Sequence, residues 1–144
     1  MSVDYHYRGE PPPRHFNMAR YCLRAGAARP DKPALLVVHD AASADCETWS
    51  YAALEAAILR TAYAFRSAHG LEAGARVAIR LRNRTPYALA FFGAIAGGLV
   101  PIPISPDLTA RELTFVLSDA GAAGIVLDDS LPHGAFDPGL AIIP

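Results

Sequence analysis

The chain has 144 residues, 52% of them hydrophobic and 19% charged, with a formal net charge of −1. That length suffices for one domain with a real core, and the near-neutral balance supplies no long-range field toward nucleic acid or an anionic membrane. Cys22 and Cys46 are the only cysteines; without a C-x-x-C spacing they read as reduced cytosolic thiols, not as a disulfide framework or a zinc site.

The opening stretch, MSVDYHYRGEPPPRHF, carries charges throughout and has no apolar centre. Residues 1–15 are therefore expected to be an extended arm rather than a signal peptide. Asn17 predicts a capped short helix from Met18 to about Ala25, with Gly26 at its end. ALLVVH (Ala34–His39), a polar loop and ETWS then predict a β-hairpin. Ser50 caps a long helix to about Ala68, with Leu54, Ile58, Thr61, Ala62 and Phe65 on one face. ARVAIRL (Ala75–Leu81) reads as a strand.

Thr85 is the expected cap of the next helix, with Pro86 in its first position. Tyr87–Ala96 is apolar on every side, which predicts deep burial. The uncharged run from Tyr87 to Ile104 approaches membrane-spanning length. However, Gly97, Gly98, Pro101 and Pro103 break it into a buried helix and a buried strand, Leu99–Ile104. In that strand Pro101 and Pro103 remove two donors from one flank only, so the strand is expected to pair fully along the other. Thr109-Ala110-Arg111-Glu112 is a capping box for a helix to about Asp119, stopped by Gly121. AGIVLDD (Ala123–Asp129) is another strand, and the final apolar run, Leu140–Ile143, looks like an unpaired strand with nothing after it. A hairpin followed by alternating helices and strands predicts an α/β fold with a mainly parallel sheet covered by helices.

Chemical motifs are sparse. No G-x-S-x-G elbow, G-x-G-x-x-G turn or G-x-x-x-x-G-K-[ST] loop occurs, and Lys32, the sole lysine, sits in a turn between Pro30 and Pro33. His6, His15, His39, His69 and His133 are scattered without metal-ligand spacing. Asp128 and Asp129 follow a strand, where open α/β sheets bind ligands, although a solvated strand end accounts for them as well. Asp40 and Asp45 are assigned to their own loop. Arg80, Arg82 and Arg84, in RLRNRTP, could hold a phosphate or carboxylate. The favoured alternative is a charged, solvated loop with Arg80 snorkelling from the sheet.

The order of motifs resembles the start of the adenylate-forming (AMP-binding) superfamily, of the acyl- or aryl-CoA synthetase type. Thr48–Leu54, Gly70–Ala78 and Asn83–Pro86 match its T-Y-x-E-L helix start, G-[VL]-x-x-G-D-R-V-A strand and N-x-P helix. FFGAIAGGLVPIPISPDLTARELTFVLSDAGAAGIV matches the next signature. Ala75, Arg82 and Ser105 depart from the family pattern, at positions that carry no catalysis. The resemblance implies an enzyme that joins a carboxylic acid to ATP with Mg2+ and passes the acyl group to coenzyme A. It also implies that the phosphate loop and both functional lysines lie beyond Pro144, since Lys32 matches neither. No catalytic, cofactor-binding or metal-binding residue is therefore expected among residues 1–144. The chain is expected to be the truncated first part, 16–144, of a large N-terminal AMP-binding domain, inactive alone. A freestanding, non-catalytic binding or complementing module is the alternative. A membrane span and a nucleic-acid partner are not expected.

Overall fold

The computed structural model describes residues 13, 15–40, 42 and 45–144; the expected arm over residues 1–15 lies almost entirely outside them. The chain runs α1 (Met18–Leu23), a 3-10 turn (Arg24–Ala27), β1 (Pro33–Asp40), β2 (Asp45–Ser50), α2 (Tyr51–Tyr63) and a π-helical turn (Ala64–Ala68). It continues through β3 (Arg76–Arg80), α3 (Thr85–Ala96), β4 (Val100–Pro103), α4 (Ala110–Ala120), β5 (Gly124–Leu127) and β6 (Ala141–Ile143). β1 and β2 form the predicted antiparallel hairpin, and the other strands form a parallel sheet in the order β4-β3-β5-β6. The fold is the expected α/β class.

Helices cover both faces of this sheet, as parallel strands require. On one face Val77, Ile79, Val126 and Ile143 pack with Ala90 and Ala94 of α3 and with Phe65 and Leu99. On the other, Ala78, Ile125 and Leu127 pack with Leu113 and Leu117 of α4. A separate core joins Leu23, Leu54 and Ile58 to Leu35, Trp49, Leu89 and Phe92, so α3 is enclosed between the sheet and the hairpin with α1 and α2. No residue from 87 to 96 is exposed, in keeping with the all-round apolar sequence. The long uncharged run is divided between α3 and β4, and among the described residues no helix is long and apolar enough to cross a membrane.

Most predicted caps form. The Asn17 side chain accepts from the Arg20 N–H at 3.1 Å and donates to the Ile95 carbonyl at 2.8 Å, which ties α1 to the end of α3. Ser50 accepts from Ala53 at 3.2 Å. The Thr109–Glu112 capping box is complete, and Gly121 ends α4 at φ +57°. β4 also behaves as its prolines dictate. The N–H groups of Val100 and Ile104 donate to the Ala75 and Ile79 carbonyls, and β4 is an edge of the described sheet with Pro101 and Pro103 on its outer flank.

Five expectations change. β4, expected to be a buried strand, contains no buried residue, and Val100 is exposed, because the strand is an edge of the described sheet. Arg84, without a side-chain capping bond, occupies the cap position of α3, because the Thr85 hydroxyl donates instead to Glu47 of the hairpin. The end of the long helix relaxes into the π-helical turn, with the His69 N–H bonded to the Ala64 carbonyl at 3.1 Å. The final apolar run is not unpaired: β6 lies parallel to β5, with Ile142 opposite Ile125. Arg80 does not snorkel, because it is fully buried.

At Gly93, α3 packs tightly against α2. A Cβ built there would lie 2.6 Å from Cγ2 and 2.8 Å from Cβ of Thr61. Gly93→Ala is expected to destabilise the chain by about 1–3 kcal/mol through overpacking, read as a lower urea midpoint. A midpoint equal to wild type would show that the helices can separate freely.

Candidate functional site

In an open α/β sheet, ligands bind beyond the carboxyl ends of the strands, where neighbouring connections leave on opposite faces. Here that place is the end of β3. The chain leaves β3 for α3 on one face, and leaves neighbouring β4 for α4 on the other. A cleft of about 520 Å³ lies at the carboxyl edge on the β5 side of β3, lined by Leu81, Arg82, Arg84, Pro86, Leu127, Asp128, Asp129 and Pro144. Thus Arg82, Arg84, Asp128 and Asp129 do come together, while Arg80 does not join them.

Arg80 closes β3 with its guanidinium turned under α4. Nη1 donates to the Pro132 carbonyl at 2.8 Å, and Nη2 to those of Pro106 and Leu108 at 2.8 and 2.9 Å. Nε has no hydrogen-bond partner among the described residues. The three-arginine anion site is therefore not built, and the solvated-loop alternative fails for Arg80 too. The RLRNR spacing showed the charge but not the later carbonyls that receive it.

The remaining cleft residues have local tasks. One Asp128 oxygen accepts the Ser130 hydroxyl at 2.6 Å and the Ser130 N–H at 2.9 Å. The Ser130 hydroxyl, then its backbone N–H, hold the Asp128 carboxyl below its ordinary pKa; the charge of Arg82 acts in the same direction, and burial opposes it. Arg84 Nη1 lies 2.8 Å from His39 Nδ1, so it reaches the hairpin. Two arginines facing two aspartates leave the cleft no net charge to gather an anion. Asp40 accepts the Ala42 N–H at 2.9 Å, consistent with a role in its own loop, and Asp45 pairs with Asp40 across the hairpin.

Glu47 was not singled out by any motif, yet it links the two halves of the molecule. Its Oε1 accepts the Trp49 indole N–H at 2.8 Å, its Oε2 accepts the Thr85 hydroxyl, and His39 Nε2 lies 3.9 Å away. The Thr85 hydroxyl first, then the Trp49 N–H, lower the Glu47 pKa; burial opposes this, and His39 adds a weaker pull downward. Sequence carried no signal for this bridge, because it joins residues 38 positions apart.

Among the described residues no group of three or more His, Cys, Asp or Glu could hold a metal ion. Lys32 is exposed in its turn. Cys22 and Cys46 are free and exposed.

The profile of the AMP-binding enzyme family matches residues 22–140. A long-chain-fatty-acid–CoA ligase of Yersinia pestis is 39% identical over 64 residues, 44% of this chain and 11% of that protein. A benzoate–CoA ligase of Thauera aromatica is 32% identical over 101 residues, 69% of this chain and 19% of that protein. Among solved structures, CmiS6 superposes with a TM-score of 0.74 at 28% identity, covering 96% of this chain and 34% of CmiS6. The chain thus spans a tenth to a fifth of the length of these curated relatives.

Because the Glu47 carboxyl is held below its ordinary pKa, its contribution to stability is fully present above the unfolded glutamate value. It is lost as pH falls through the lowered folded value. The stability difference between wild type and Glu47→Gln, from urea unfolding, should therefore be larger at neutral pH and shrink in acid. A difference independent of pH would remove Glu47 as the charged link.

Proposed function

The chain belongs to the AMP-binding enzyme family, and from that premise we propose that it is the N-terminal portion of an ATP-dependent acyl- or aryl-CoA ligase. In that reaction a carboxylate attacks the α-phosphate of ATP, pyrophosphate leaves, and the acyl-adenylate forms. The thiol of coenzyme A then takes the acyl group and AMP departs. Mg2+ accompanies ATP in this reading. The observation that carries the proposal is extent: the family profile runs from α1 nearly to β6, across hairpin, helices and sheet in order. The named relatives that support it act on a long-chain fatty acid and on benzoate.

Within this proposal, residues 16–144 are the first part of the large N-terminal domain. The segment supplies scaffold: a covered parallel sheet whose carboxyl edge opens into a cleft. The reacting groups belong to the remainder of the enzyme, so the 144-residue chain is inactive by itself. A cytoplasmic location belongs to the same reading, and the two free thiols support it.

A chimera tests this directly. Residues 22–140 replace the matching segment of the Thauera aromatica benzoate–CoA ligase, and benzoate- and CoA-dependent AMP release is measured. The expected result is a folded chimera with activity, against none for the 144-residue chain in ATP–pyrophosphate exchange. A monodisperse, cooperatively melting chimera without activity, or exchange by the short chain alone, would contradict the proposal.

A further inference from the structure

We propose that Arg80 is a buried clasp that fills the ligand-taking crevice on the α4 face of the sheet and locks the β4–α4 and β5–β6 connections into one unit. The consequence is that, among the described residues, the carboxyl edge remains open to ligand on the α3 side, through the cleft beside Leu81 and Arg82.

The argument begins with alternation. Arg80 follows Ala78 by two residues on β3, so it shares the face on which Ala78 packs with Leu113 and Leu117. That face, at the end of β3 beside β4, is one side of the switch-point crevice. The Arg80 side chain has no solvent exposure. Its charge meets three neutral carbonyls and, among the described residues, no carboxylate within ion-pair distance. Burying such a charge is costly unless its hydrogen bonds are good, and bonds from a guanidinium are stronger than neutral ones.

The acceptors explain the coupling. Pro106 and Leu108 lie just before Thr109, the cap of α4. Pro132 lies in the connection between β5 and β6. They are 26, 28 and 52 residues from Arg80 in the chain, and one planar group holds all of them. A lysine ammonium, a single point on a flexible stem, cannot span the same fork. Movement of either connection leaves the shared, buried guanidinium with unpaired donors, which weakens its hold on the other, so the two loosen together.

Hydrogen exchange by mass spectrometry on the whole chain tests the clasp, with Arg80→Met, Arg80→Lys and the exposed-site control Arg111→Met. In both Arg80 variants, exchange in residues 105–109 and 129–133 should accelerate together by about tenfold or more, while α3 keeps its protection and the control matches wild type. Millimolar methylguanidinium should slow both segments again in Arg80→Ala, whereas ethylammonium should not. Unchanged exchange, loosening of one segment only, or equal rescue by the two cations would overturn the proposal. Wild type supplies a measurement that needs no variant: slowly exchanging Arg80 Nη protons with scalar couplings to the carbonyls of Pro106, Leu108 and Pro132. Rapidly exchanging Nη protons without such couplings would overturn it equally.

Discussion

The main chain of β3 has to hydrogen bond on both flanks while its side chains are buried on both faces. Val77, Ala78, Ile79 and Arg80 are each 1% exposed or less. The register is fixed by neighbours on either side, with Ile79 opposite Pro103 of β4 and Val126 of β5. A slip of one residue would exchange the faces. It would turn Arg80 toward α3 and the large side chains of Val77 and Ile79 toward α4. The rest of the architecture follows from this strand: α3 covers one face, α4 the other, and the connections from β4 and β5 meet at the Arg80 guanidinium.

Two features keep this core from being extended or split arbitrarily. At the β4 edge, Pro101 and Pro103 leave the outer flank without donors, which discourages a further strand there. At the other side of α3, the hairpin is held by apolar contacts and by Glu47, whose carboxylate receives Thr85 from α3 and Trp49 from its own strand. α3 is therefore the element both cores share. Its small residues, Ala90, Gly93 and Ala94, permit the close approach on each side.

Local and periodic features were legible before any fold was known. The caps at Asn17, Ser50 and Thr109 depend on residues three positions apart. The one-sided pairing of β4 follows from proline chemistry alone. What escaped was non-local. Thr85 looked like a cap, but Glu47 offers its hydroxyl a better acceptor across the molecule. Arg80, Arg82 and Arg84 looked like one cluster, but β3 ends at Arg80, and three distant carbonyls hold its guanidinium away from the other two. Leu140–Ile143 looked unpaired because its partner, β5, is joined to it by a long connection without helical punctuation. The cleft residues Arg82, Arg84, Asp128 and Asp129 were visible individually; their mutual cancellation of charge required the fold.

The central claim is that β3 is the axis on which this segment is built. Amide hydrogen exchange by NMR, followed across low urea concentrations, addresses it most directly. The amides of Val77, Ala78, Ile79 and Arg80 should exchange only through global unfolding, with the steepest urea dependence in the chain. Exchange of these amides by local opening, while the hairpin or α1 stayed protected, would contradict the account.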